Sequence, residues 1–266
     1  MPSVQLERLR PQVNAIVTQY ENSDVFCKSL IALLRTYSSD VDPSFYKITS
    51  YSILPTLNVP QVVLNQLEIA FKHLSQKYPI QTKATARVLW GQNIFETKQI
   101  ALFLLANLPT DEIEFFITMI DKWVDADIEM PIINHILETI STNAEISNDP
   151  RWINLIESWV NSSEIRLQKI GISALTYQIE LDGNNNLPKI FRLIEPIFSK
   201  PNVSINSDLL NLVESLVNAS EPETAAFLIH LAAIYPNPEI SSFLRKCLPK
   251  FNAYFSSEIK KALKIL

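Results

Sequence analysis

From about residue 60 to the end, apolar residues recur at helical spacing in segment after segment, with short connections between them. Val63, Leu67, Ala70, Phe71 and Leu74 share one helix face, as do Ile100, Phe103, Leu104 and Leu108, and then Ile113, Phe116, Ile117 and Ile120. Earlier, Val25, Leu30, Leu33 and Leu34 follow one face. A helix with one apolar stripe must bury it against another element. Stop and start signals frame the segments. Asn58 with Pro60 opens a helix that Pro79 ends, Thr110 opens one after Pro109, and Asp149 precedes Pro150 at a first helical position. Ser207, Glu221-Pro222 and Asn237-Pro238 open later ones. The best strand candidate, residues 45–53, reads as an irregular loop.

From about residue 60 the helices come in pairs of about 35–40 residues, the period of HEAT-type repeats. The pattern predicts an all-α, right-handed solenoid of about 12–14 helices. We expect one domain over residues 1–266, with less regular N-terminal helices at 1–58 and paired repeats at 59–266. Only 3 glycines occur, and they are far apart, which excludes a glycine-rich phosphate loop.

Trp123 and Asp127 stand four residues apart in Asp121-Lys122-Trp123-Val124-Asp125-Ala126-Asp127. At i and i+4 an aromatic ring and a carboxylate share a helix face and together can hold a cation. Both residues also have plain structural readings. Asp127 precedes Ile128-Glu129-Met130-Pro131, a sequence suited to a first helical turn, so it fits an N-cap. Trp123 follows Phe116 and Ile120 at helical spacing and fits a core position.

The net charge of −5 is unevenly spread. Residues 109–149 hold ten acids and a single base, Lys122. That stretch surrounds the Trp123/Asp127 pair and repels phosphate unless the fold turns it away. Cys27 and Cys247 have no metal-ligand spacing and read as buried free thiols in a reducing, cytoplasmic setting. The three histidines are isolated, so no metal and no cofactor is expected. No long uncharged apolar run suggests a membrane span, and a monomer is expected.

Several short motifs then fall in order. Leu89-Trp90 and Glu96 precede an apolar helix, Trp123 and Asp127 follow, and Trp159 and Ser162 come before Arg166 and Lys169. Asn237-Pro238, Phe243-Leu244 and Ala262-Leu263 close the chain. In this order and spacing the sequence resembles the DNA alkylation repair family, the HEAT-like glycosylases of AlkD type, from about residue 25 to the end. The resemblance implies double-stranded DNA carrying alkylated purines as the partner. It implies Asp127 as the carboxylate that stabilises charge on the sugar, and Trp123 as an aromatic wall. It also implies Lys169, Arg166, Gln168, Lys189 and Arg192 as DNA-binding residues. The chain departs from the family pattern in two places. Gln168-Lys169 stands where arginine is usual, and Leu228 lies at or beside the position of a later tryptophan. With the acidic charge, these departures keep a second reading open, a non-catalytic scaffold that binds a protein partner.

Overall fold

The computed structural model describes residues 4–38, 54–125, 129–181, 186–199 and 202–264. Residues 45–53, read above as a loop, lie outside the described residues. Fifteen α-helices and no strands occur among the described residues, one of the helices a single turn. The chain packs as two compact units, residues 1–146 and 147–266.

The first unit holds α1 (Leu6–Val17), α2 (Ser23–Thr36), α3 (Gln61–Lys77), α4 (Pro79–Trp90), α5 (Phe95–Ala106), α6 (Ile113–Asp125) and α7 (Met130–Ser141). Here α1 packs on α3, α3 on α5 and α5 on α7, which makes one layer. The other layer starts with α2 on α4, and α4 packs extensively on α5. This alternation is the packing of an α-solenoid. After the single turn α8 (Ala144–Ser147) come α9 (Pro150–Val160), α10 (Ile165–Leu181), α11 (Leu187–Ser199), α12 (Asn206–Ala219), α13 (Glu221–Ile234), α14 (Pro238–Cys247) and α15 (Ala253–Lys264). Within the second unit the odd-numbered helices again stack in order, α9 on α11, α11 on α13 and α13 on α15. The even-numbered ones do likewise, α10 on α12 and α12 on α14.

The caps explain the boundaries. Proline disfavours helical backbone in the residue before it, so Tyr78 leaves the helical region (φ −128°, ψ 62°) and α3 stops. Pro79 then opens α4, where its missing N–H costs nothing. Asp149 caps α9 by accepting from Arg151 N at 2.8 Å, and Asn237 caps α14 by accepting from Ile240 N at 2.8 Å. The core of the first unit centres on Phe26 and Phe71, whose ring centroids lie 5.1 Å apart. Phe26 and Cys27 turn inward on α2, whereas Val25 is 44% exposed. The inward face of α2 therefore runs Phe26, Leu30, Leu33 and Leu34, one residue away from the expected stripe at its start. Tyr20 and Ser23 lock onto α4 through hydroxyl pairs, Tyr20–Thr82 at 2.8 Å and Ser23–Thr85 at 2.9 Å.

In the second unit Trp152 and Trp159 meet edge to face at 5.6 Å, both 2% exposed on α9. Beside them α10 comes very close. A Cβ on Gly171 would lie 2.7 Å from Val160 N and 3.1 Å from the Trp159 carbonyl carbon. Those are backbone atoms, so no rotamer change relieves the clash. Glycine inside a helix costs about 1 kcal/mol relative to alanine. Here that cost is offset by the approach it permits.

Two outcomes follow from this packing. Gly171→Ala is expected to lower stability by about 1–3 kcal/mol despite the better helix propensity of alanine, as read by urea denaturation. An unchanged or raised midpoint would show that α9 and α10 separate freely. The second concerns alkaline pH. Burial pushes the Cys27 and Cys247 thiols up to about 12, and the Tyr20 hydroxyl to about 12. In the unfolded chain the thiols ionise from about pH 9 and the phenol from about pH 10. Between those values and about 12 the unfolded state binds fewer protons, so stability falls as pH rises. The urea midpoint is therefore expected to show no contribution from these groups below about pH 9 and a progressive loss above it. The Cys27→Ala/Cys247→Ala double variant should flatten part of that loss, and an identical alkaline slope would remove the thiols as its source.

Candidate functional site

Helices α4 and α6 run side by side in the first unit, and their facing residues pair in rungs. Lys83 Nζ meets Glu112 Oε2 at 2.5 Å, just before α6. The Phe115 ring lies under both Lys83 (4.7 Å) and Arg87 (5.2 Å). At the far end Trp90, the last residue of α4, stacks on Trp123 with ring centroids 3.7 Å apart and planes 5° from parallel. The rung order shows that the two helices point the same way, as equivalent helices of successive pairs must. Trp123 is 5% exposed, whereas Trp90 is half-buried. The stack contributes about 0.5–1.5 kcal/mol beyond the area it buries.

Lys98, on the first turn of α5, reaches back to the same place. Its ammonium donates to the Trp90 carbonyl oxygen at 2.7 Å and lies 4.5 Å from the Trp90 ring centroid. That carbonyl is one of the acceptors left open at the end of α4, where a cation also meets the negative end of the helix dipole. Since Trp123 fills one face of the Trp90 ring, the ammonium lies against the other. Burial holds the Lys98 pKa below its ordinary value.

Glu96 sets the start of α5. Its carboxylate is 3% exposed and accepts from Thr56 Oγ1 at 2.9 Å and from Leu57 N at 2.9 and 3.0 Å. Val59 N adds a longer contact at 3.4 Å. Phe95 N donates to Pro55 O at 3.0 Å, so the segment before α3 is tied to the start of α5 on two sides. Asn58 turns that segment with φ 51°, a conformation asparagine tolerates better than most residues. The glutamate after Leu89-Trp90 is therefore a structural clamp.

The remaining residues singled out in the sequence are placed as follows. Asp127 lies outside the described residues. Downstream of it, α7 begins at Met130, with Glu129 before it and Pro131 in its first turn. Arg166, Gln168 and Lys169 are half-buried near the start of α10, and Lys189 and Arg192 are exposed on α11. These five belong to the second unit, and Trp123 belongs to the first. Ser162 Oγ accepts from Glu164 N at 3.1 Å and orders the turn into α10. Leu228 is fully buried in α13.

Sequence reasoning missed the Trp90–Trp123 stack, the Lys98 ammonium on it, and the Lys83 and Arg87 rungs. Lys83, Arg87 and Trp90 do stand at i, i+4 and i+7, a single helix face. That spacing was the available signal. The clamp has a direct test. Glu96→Ala leaves the half-buried Leu57 N–H and the buried Val59 N–H without this acceptor, and a loss of about 1–3 kcal/mol is expected in chemical denaturation. Glu96→Gln keeps one acceptor oxygen and should lose less. Equal, negligible losses in both would mean the clamp carries no stability.

Among curated proteins none matches this chain. The family model described as DNA alkylation repair enzyme matches residues 46–233, more than two thirds of the 266. The matched stretch includes Trp90, Glu96, Trp123, Asp127, Trp159 and the five polar residues of α10 and α11. With the match covering most of its length, the chain belongs to the DNA alkylation repair enzyme family.

Proposed function

We propose that this protein is a DNA N-glycosylase acting on cationic alkylpurines, those alkylated at N3 or N7. The observation that carries the reading is the Trp90–Trp123 stack. It brings together two family motifs that are 33 residues apart in sequence. The positive charge on such a base already weakens its glycosidic bond, so little acid catalysis is needed. The enzyme's task is to stabilise the developing charge on the sugar and to orient a water. A carboxylate does both. Asp127, four residues after Trp123, is the residue we assign to it. Trp123 is covered by Trp90, so the two rings act as one rigid aromatic wall in which Trp90 supplies the accessible edge. The base need not be flipped into a pocket in such a scheme, unlike in most glycosylases.

Arg166, Gln168, Lys169, Lys189 and Arg192 are the residues we assign to the DNA backbone. With a net charge of −5, binding is expected to be weak and steeply salt-dependent. The ten acids of residues 109–149 favour the second reading, a scaffold that binds a protein partner without catalysis.

Release of free base from duplex DNA carrying 7-methylguanine or 3-methyladenine separates the two readings. In the glycosylase, Asp127→Asn is expected to slow release by about two to four orders of magnitude, because the charge facing the developing cation is lost while the size is kept. Its melting temperature should stay close to that of the unmutated protein, since asparagine caps a helix as well as aspartate does. Trp123→Ala should lower both rate and stability, the latter by about 3–5 kcal/mol, as a buried indole is removed. Full activity in Asp127→Asn would take this residue out of the mechanism. No release by any form would favour the scaffold.

A further inference from the structure

Basic residues of the first unit gather in one stretch of sequence, which the acidic stretch conceals in the bulk charge. Residues 69–110 hold Lys72, Lys77, Lys83, Arg87 and Lys98 against one acid, Glu96. Glu96 is buried and its oxygens are taken up by the segment before α3. Along α4, Lys83 and Arg87 face α6 in the rungs before Trp90, and Lys98 reaches the Trp90 ring, so three cations border this helix pair: Lys83, Arg87 and Lys98. They are not equivalent. The Lys83 charge is met by Glu112 at 2.5 Å. The Lys98 ammonium is committed to the Trp90 carbonyl at 2.7 Å and to the Trp90 ring. Arg87 is exposed, and among the described residues no carboxylate pairs with it.

What holds Arg87 is Phe115, with the guanidinium carbon 5.2 Å from the ring centroid. A guanidinium over a ring face is oriented by that face, while its five N–H donors lie in its own plane and stay available. A planar fork of that kind matches the paired oxygens of a phosphodiester. Arg87 and Trp90 are three residues apart, so their Cβ atoms are about 5–6 Å apart on one face. That matches the reach from a nucleotide's sugar to its own phosphate.

We propose that Arg87 is a phosphodiester contact, gripping the nucleic-acid backbone one helical turn from the Trp90–Trp123 stack. The inference rests on the reading that the chain binds DNA, and it adds a phosphate contact in the first unit to those assigned in the second. A strand whose deoxyribose rests against the indole edge presents its phosphate to the guanidinium. Phe115 is then a positioning residue, and the Lys83–Glu112 pair keeps Lys83 from competing for the same oxygens.

The test uses the full chain and an unmodified, fluorescein-labelled DNA duplex, with binding read by anisotropy across a salt series. Arg87→Gln is expected to weaken binding about tenfold at 0.1 M salt and to reduce the log–log salt slope by about one. Arg87→Lys keeps the charge but loses the fork, and should recover part of the affinity without the full effect. Lys72→Gln removes the same charge from an exposed site on α3 and should change binding less than about twofold. Melting temperatures of all three should match the unmutated protein, because the sites are exposed. If the unmutated chain binds the duplex and Arg87→Gln binds as tightly, or loses no more than Lys72→Gln, the contact is overturned and the DNA-binding reading stands. If the unmutated chain does not bind the duplex even at low salt, the DNA-binding reading falls and takes the contact with it.

Discussion

A carboxylate removed from water must be met by donors or by charge, and Glu96 is met by donors alone: one hydroxyl and the backbone N–H groups of Leu57 and Val59. Leaving such a group unpaired costs several kcal/mol, so α5 and the segment before α3 have little freedom to move apart. From that fixed start, Lys98 follows within one turn and reaches the end of α4. The end of α4 carries Trp90, and Trp90 carries the stack with Trp123. The geometry of the candidate site thus descends, link by link, from a charge satisfied by backbone.

The stack also shapes the chemistry. An isolated tryptophan on a helix end is free to rotate, and its ring makes an imprecise wall. Two parallel indoles 3.7 Å apart hold each other, with an ammonium on the outer face of one. The cation on Trp90 already occupies this face, so in the proposed reaction a positively charged base is met by a carboxylate and by the ring edge. That division of labour agrees with assigning the charge-stabilising role to Asp127. Membership of the DNA alkylation repair family supplies the reaction class against which this arrangement is read.

Much of the fold was legible because the signals were local. Pro79, Asp149 with Pro150, and Asn237 with Pro238 each bound a helix by effects confined to a few residues of backbone. Helical periodicity located the core for the same reason, although at Val25 the stripe was read one residue out, because Phe26 and Cys27 both compete for the inward face. The site was less legible because its contacts join distant residues. Trp90 and Trp123 meet only because α4 and α6 are equivalent helices of successive pairs, which no local pattern states. The motif glutamate was visible as a letter, but its partners lie about forty residues earlier, around Thr56 and Leu57.

The two cysteines give the family assignment an unlooked-for corollary. Agents that alkylate purines also attack sulfur, and they do so through the thiolate. Cys27 and Cys247 are buried, and burial lifts each to about 12, so at neutral pH both sulfurs stay protonated. Burial puts both thiols out of reach of the electrophiles that alkylate DNA. In surroundings that alkylate DNA, these two sulfurs are therefore the last of the chain's thiol chemistry to be spent.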